Sequence, residues 1–472
     1  MASSFAWSSL ENGGAQITQI VVFFIAARIL LPEEVGHASL ALIITQAFQS
    51  IVSTGINAYV VGVPGVDHRS KDTHAFWLSV SIGLSQFIIT ASICLLCWSV
   101  TGRSYFPLLY LTASVANLVV ALGIAHQASM TRALLMRSLA IRTLTSVLVA
   151  GVCGIGMAMS GFGAYAIVLQ TLLQAIIGTS LLWYLSPWRP SKKLDVAGIR
   201  EVLFTSRHMF STGVLNFTVG NIDLAIVGWL LGAHAAGVYA VARRALFAFN
   251  GLISTALSQV SLSVFTSIRS SDPDQLATRF VSIIGLTSII TVPLFFGLSG
   301  LAEPFVRVLF GQRWDEAAPI MAILMPFGAL QSLGVYNQSF VIAFGRPDLQ
   351  TKLAAKYAII TIPLMIVTAN LSLTAVALAY TLRGYLTFPM SIALVTKNSS
   401  ITNRQYLEAI MPAFACAILV FLSMQISQRI SPPDPWMKIM TGSVGGIIVY
   451  GAFVLTFSRG TLVKLWSLRR AP

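Results

Sequence analysis

The chain has 472 residues, 56% of them hydrophobic and only 10% charged, with a mean hydropathy of +0.79. Soluble domains carry about 25% charged residues, so this composition cannot cover a water-facing surface and excludes a soluble globular protein. A net charge of +14 would suit nucleic acid, but its distribution along the chain excludes that partner too.

A membrane-spanning helix needs about 20 mostly apolar residues. About fourteen such stretches occur, near 9–31, 38–63, 75–100, 107–129, 140–160, 164–186, 209–231, 238–267, 280–301, 318–343, 356–370, 373–396, 408–428 and 437–457. No window alternates as a barrel strand would. The predicted class is an all-α polytopic membrane protein. The first run leads through a tight loop into the second, so it reads as a retained span and not a signal peptide.

Span one is polar in its first half, with Glu11, Asn12, Gln16, Thr18 and Gln19, and carries Arg28 four residues before Pro32. Span two adds Gln46, Gln49 and Asn57. Cys94 and Cys97 form a C-x-x-C in "ASICLLCWSV", without the second ligand pair that zinc requires; no metal site is expected. His126 reads as a helix-packing residue. The longest polar segment, Pro187–His208, is too short for a catalytic domain.

The seventh and eighth stretches read "NIDLAIVGWLLGAHAAGVYAVARRALF" from Asn221 to Phe247. They form two apolar helices around a Gly-Ala-His loop, with Asp223 in the first helix and Arg243 and Arg244 in the second. Asn216, Asn221, Asn250 and Gln259 lie on the same pair, Asn337 and Gln338 in the tenth span, and Arg383 in the twelfth. Asn370–Ser372 is a thin separator between spans eleven and twelve. "SPPDPW" at 431–436 is a turn, with Pro stopping the helix.

Loop charge sets the orientation. Near the loops, Arg69, Lys71, Arg132, Arg137, Arg142, Arg189, Lys192, Lys193, Arg200, Arg207, Arg269, Arg279, Arg346, Lys352, Lys356, Lys397, Arg404 and the basic C-terminal tail fall on one side; Arg103, Arg307, Arg313, Arg429 and Lys438 fall on the other. The richer side is cytoplasmic. Both termini are then cytoplasmic, and the basic charge faces anionic membrane lipid.

"RILLPEEVGHASLA" and "GWLLGAHAAGVYAVA" share two leucines, a helix breaker, a short loop and a glycine, Gly36 or Gly237, opening a new span. An even number of spans separates them, which makes parallel repeats. The expected organisation is two six-helix lobes, 1–190 and 209–400, related by a pseudo-two-fold axis. A cytoplasmic linker, 191–208, joins them, and two extra helices with a tail follow over 401–472.

A charge at the centre of a spanning helix costs roughly 2.5–3.5 kcal/mol. At 1.5 Å per residue, Asp223 lies roughly 13 Å from the loop at Gly232, and Arg243 and Arg244 lie roughly 9–10 Å from Gly237. An Asp–Arg pair across the hairpin is expected; which arginine pairs is open. Arg28 is near enough to its helix end to snorkel, whereas Arg383 is not. Hydrogen bonding between helices accounts for any one Asn or Gln. Their concentration in spans one, two, seven, eight and ten predicts a hydrated cavity lined by Asn216, Asn221, Asn250, Asn337 and Gln338. Arg28, Arg243, Arg244 and Arg383 make it cationic and suited to bidentate phosphate binding. Asp223 and Glu11 are the candidates for charge pairing or for coupling to a proton or sodium gradient.

These residues resemble a known family. "ARILLPEEVG", with Arg28, Leu30, Pro32 and Gly36, is similar to the first loop of polysaccharide transporters of the multidrug/oligosaccharidyl-lipid/polysaccharide superfamily. Asp223, Gly228, Leu231, Gly232, Gly237 and Tyr239 resemble its seventh–eighth hairpin, with Arg244 at a basic position and Arg243 extra. "LFGQRWDEAAP", with Gly311, Trp314 and Ala317, resembles the loop before span ten, and Gly345 and Arg346 the turn after it.

The resemblance implies a flippase for undecaprenyl-diphosphate-linked oligosaccharide, the repeat unit of O-antigen or exopolysaccharide, in the bacterial inner membrane. It also implies alternating access and polysaccharide assembly proteins as partners. A multidrug exporter of the same superfamily is the alternative. A membrane polysaccharide polymerase would need a large outer loop, and no G-x-x-x-x-G-K-[ST] or H-E-x-x-H occurs. Neither an enzyme nor a cofactor is expected.

Overall fold

Backbone N–H and C=O groups in hydrocarbon must be satisfied within their own segment, and each apolar stretch is helical in the computed structural model. The structure describes residues 2–62, 68–102, 105–193, 195–269, 273–343 and 347–457. Gly345 and Arg346 lie outside the described residues, as do the side chains of Asn12 and Gln259.

Helix α1 spans Ala2–Ile29. Pro32 opens α2, Pro32–Phe48, where a missing N–H costs nothing, and the Glu34 carboxylate accepts from the Leu31 N–H at 2.8 Å. A π-helical turn, Gln49–Ser53, joins α2 to α3, Thr54–Gly62. Then follow α4, His68–Thr101, α5, Tyr105–Arg132, α6, Met136–Met159, and α7, Ala164–Leu185.

Helix α8 spans Val196–Arg269, broken only at Gly232, whose φ of 85° suits glycine. This break divides α8 into the expected seventh and eighth spans. Helices α9, Pro273–Gly300, α10, Ala302–Leu309, α11, Ala317–Ala343, α12, Pro347–Ala369, α13, Leu373–Thr396, α14, Asn403–Ile430, and α15, Pro435–Phe457, complete the chain. Among the described residues, eleven helices are long and apolar enough to cross a membrane. The protein is a multi-pass membrane protein.

Two local expectations are corrected. The polar segment before span seven is helical from Val196 onward, because the Asp195 carboxylate accepts from the Ala197 N–H at 3.0 Å and starts α8 early. Helix α12 begins at Pro347, well ahead of residue 356, again with proline in the first turn. The thin separator after α12 does divide two helices: the Ser372 hydroxyl accepts from the Ala375 N–H at 3.0 Å and caps α13.

The chain forms two compact units, Met1–Ala240 and Val241–Pro472. In the first, α1 packs on α6, α5 on α4 and α7, and α6 on α7. Phe48, Val52, Ile56 and Tyr59 centre one core cluster. The π-helical turn meets the first half of α8, where the Ser50 hydroxyl donates to Gly213 O at 3.0 Å. The two glycines matched in the sequence repeat also meet. A Cβ on Gly36 would lie 1.8 Å from Ala233 O, and a Cβ on Gly237 would lie 1.8 Å from Pro32 O. In the second unit, α9 packs on α11 and α14, α13 on α11 and α12, and α14 on α15.

Candidate functional site

In the first unit, Asp223 is fully buried and its Oδ2 accepts a hydrogen bond from the Tyr239 hydroxyl at 2.8 Å. On one straight helix, residues sixteen apart would be roughly 24 Å apart. The contact therefore requires the chain to fold back at Gly232, forming the predicted hairpin. The described partner of Asp223 is a neutral hydroxyl; its pairing with Arg243 or Arg244 stays an expectation. A second polar cluster joins α1 to α6. The Thr143 hydroxyl donates to Glu11 Oε1 at 2.8 Å, and Arg142, beside Thr143, is close enough to Glu11 for their charges to interact. Gly178 makes room for the Arg142 guanidinium, whose Nε donates to Gly178 O at 3.3 Å.

The second unit holds a buried charge of its own. Arg383, only 6% exposed, lies within α13. Its Nη1 donates to the Thr361 hydroxyl on α12 at 2.7 Å. Its guanidinium carbon lies 4.6 Å from the Tyr380 ring centroid and 5.6 Å from that of Phe327. Among the described residues no carboxylate lies within ion-pair distance of it. A guanidinium has five N–H donors, and Thr361 takes one. A cation held between ring faces and a hydroxyl, with donors to spare, is equipped to receive anionic oxygen.

Arg243 is also buried, its guanidinium carbon 5.0 Å from the Phe247 ring centroid, whereas Arg244 is exposed. Asn337 is 1% exposed and both ends of its amide are used: Nδ2 donates to the Ser391 hydroxyl, and Oδ1 accepts from the Tyr406 hydroxyl, each at 2.9 Å. It ties α11 to α13 and α14, and its place on a cavity wall stays an expectation. Buried Asn250 likewise donates to the Gln331 amide oxygen.

Residues 25–319 match the family described as polysaccharide biosynthesis protein. The chain belongs to that family. ExoT, the succinoglycan biosynthesis transport protein of Rhizobium meliloti (strain 1021), is 24% identical over 98% of this chain and 94% of its own. WzxC, a lipopolysaccharide biosynthesis protein of Escherichia coli (strain K12), is 23% identical over 77% of this chain and 74% of its own. The solved inward closed conformation of the lipid II flippase MurJ matches with a TM-score of 0.75 at 14% identity, covering 96% of this chain and 99% of that one. At that identity the likeness establishes the fold.

In this family member Arg28, in the last turn of α1, is exposed, as are Asn216 and Gln338. Asn221 is half-buried and donates to Phe217 O at 3.4 Å. His126 packs against Trp183 and Trp188, at ring-centroid distances of 4.7 and 4.8 Å. The residues that sequence reasoning missed are Arg142, Thr143, Thr361 and Tyr380; Tyr239 was named in the hairpin motif, but not as a partner of Asp223. Two of the aromatic companions had a signal: Tyr380 stands three residues before Arg383 and Phe247 four after Arg243, the spacings that share a helix face.

Proposed function

We propose that this protein is a flippase that moves an undecaprenyl-diphosphate-linked oligosaccharide across the bacterial inner membrane by alternating access. Arg383 carries the reading. A buried cation inside a membrane helix, with no carboxylate beside it among the described residues, is costly to keep and has a use only for an anion. A diphosphate supplies one, and the guanidinium fork matches its oxygens. Arg28, Arg243 and Arg244 are proposed as further phosphate contacts. ExoT's name as a transport protein and MurJ's as a flippase support the reading.

In this scheme the sugar headgroup crosses in a polar passage between the lobes 1–190 and 209–400 while the polyprenyl tail stays in lipid. Asn216, Asn221 and Gln338 line the passage. Asp223 and Glu11 couple the cycle to a proton or sodium gradient. Both termini face the cytoplasm, where the basic loops meet anionic lipid. The chain performs no covalent step of its own. Export of cationic drugs is disfavoured, because such cargo needs an acidic site, and buried Arg383 is a cation with no carboxylate within ion-pair distance among the described residues.

The test is to replace Arg244, Arg383 and Asp223 singly by Gln, Gln and Asn, and to measure lipid-linked sugar reaching the outer leaflet at equal protein level. Each variant is expected to lose at least tenfold in rate, on the order of 1.4 kcal/mol. Near-wild-type transport by all three refutes the assignment.

A further inference from the structure

A pocket of about 460 Å³ opens between the start of α12 and the end of α13. Its lining combines Lys352, Lys356 and Lys397 with apolar side chains that include Leu353, Met390 and Leu394. Three features set it apart from a merely basic surface. Lys352 and Lys356 are one turn apart on α12, so they share a face, and Lys397 reaches the same pocket from the antiparallel neighbour. Lys356 and Lys397 are exposed and have no carboxylate within ion-pair distance among the described residues. The macrodipole of α13 favours a cation at Lys397, but the start of α12 offers no such support to Lys352 and Lys356, so a bound anion is the better reason for them. The volume lies in the range of ligand pockets, about 300–1,000 Å³.

We propose that this pocket binds one anionic glycerophospholipid, its phosphodiester headgroup on the three lysines and its first acyl methylenes on the apolar wall. Basic pockets between membrane helices hold anionic headgroups. The end of the unit where α12 begins is the one that loop charge assigns to the cytoplasm, the leaflet face where such lipid is met. An oligosaccharide is a poor occupant, because its hydroxyls would face Leu353, Met390 and Leu394 without partners. The site is separate from Arg383 and is independent of the transport reading, since its test measures binding and not flipping.

The full-length protein is purified in neutral detergent and titrated with dioctanoyl phosphatidylglycerol or dioctanoyl phosphatidylcholine, with the bound lipid counted by native mass spectrometry. One phosphatidylglycerol is expected to bind, and phosphatidylcholine is not expected to compete at equal concentration. The K352Q/K356Q/K397Q variant is expected to weaken binding roughly 100-fold, from about a fivefold contribution per lysine near anionic lipid. Single K356Q, at an exposed position that folding tolerates, is expected to weaken it about fivefold. The triple Lys→Arg variant should bind like wild type, and Gln at Lys192, Lys193 and Arg200 should leave binding unchanged. Equal retention of the two lipids, wild-type binding by K356Q and the triple Gln variant, or the same loss from the control triple overturns the proposal. Displacement by inorganic phosphate at equal concentration also overturns it, because the site would then take the free anion and not the lipid.

Discussion

Replacing Gly36 by alanine tests the contact between the two repeated hairpins. The new Cβ would lie 1.8 Å from Ala233 O, 2.7 Å from its carbonyl carbon and 2.9 Å from Gly237 N. Real Cβ contacts are essentially never shorter than 3.0 Å, so the two backbones must separate by at least about 1.2 Å, the difference between 3.0 and 1.8 Å. The obstacle is a helix carbonyl, and no side-chain rotamer relieves it. Gly237→Ala meets Pro32 O at the same distance from the other side. Overpacking of this kind costs about 1–3 kcal/mol, and a gap of about 1 Å forfeits up to half of the dispersion between the surfaces it parts.

If the hairpins touch in only one of the two alternating-access conformations, 1–3 kcal/mol shifts that equilibrium by about 5- to 150-fold. Thermal unfolding in detergent and sugar export at equal protein level read the two consequences. G36A and G237A should each unfold at a lower temperature and export more slowly. The double variant should lose less than the sum, because helices already parted accommodate the second methyl. Gly156→Ala in α6, where a Cβ meets nothing within 4 Å, is the control and should be neutral or slightly stabilising. Wild-type unfolding and export by both G36A and G237A would refute the reasoning.

Tyr239→Phe keeps the ring and removes the donor to Asp223; it should cost about 1–3 kcal/mol, seen as earlier thermal unfolding. Asn337→Leu leaves the hydroxyls of Ser391 and Tyr406 without their partner. It should cost a similar amount, about 1–3 kcal/mol, while transport per folded molecule stays at the wild-type rate. Arg383→Met should do the reverse, with stability within about 1 kcal/mol of wild type because a lone buried cation is lost, and transport abolished.

The helices were legible because hydrocarbon permits few alternatives: about 20 apolar residues must be a helix or leave backbone groups unsatisfied. Gly232 was legible as a break because only glycine rests easily at positive φ. Arg142 drew no notice as a site residue because a charge near the end of an apolar run is counted with the loop charges. Its support comes from Glu11 on another helix and from the room left by Gly178, neither of which is near it in sequence. Thr361 and Tyr380 were passed over because hydroxyls and rings are common in spans and carry no charge to draw notice.

Asn337 and Arg383 show why polarity inside a span does not by itself mark a passage. Both are buried side chains in the second unit, and both were read from sequence as facing water. Asn337 spends its donor and its acceptor on neighbouring helices, so burial leaves little uncompensated. Arg383 has a hydroxyl and two ring faces, which offset a cation partly; a cation–π contact contributes about 0.5–2 kcal/mol. The deciding quantity is therefore the demand left over after local partners are counted. That demand is small at Asn337 and Asn250. At Arg383 it is a positive charge with unused donors, and a phosphate is the form in which the proposed lipid-linked sugar would meet it.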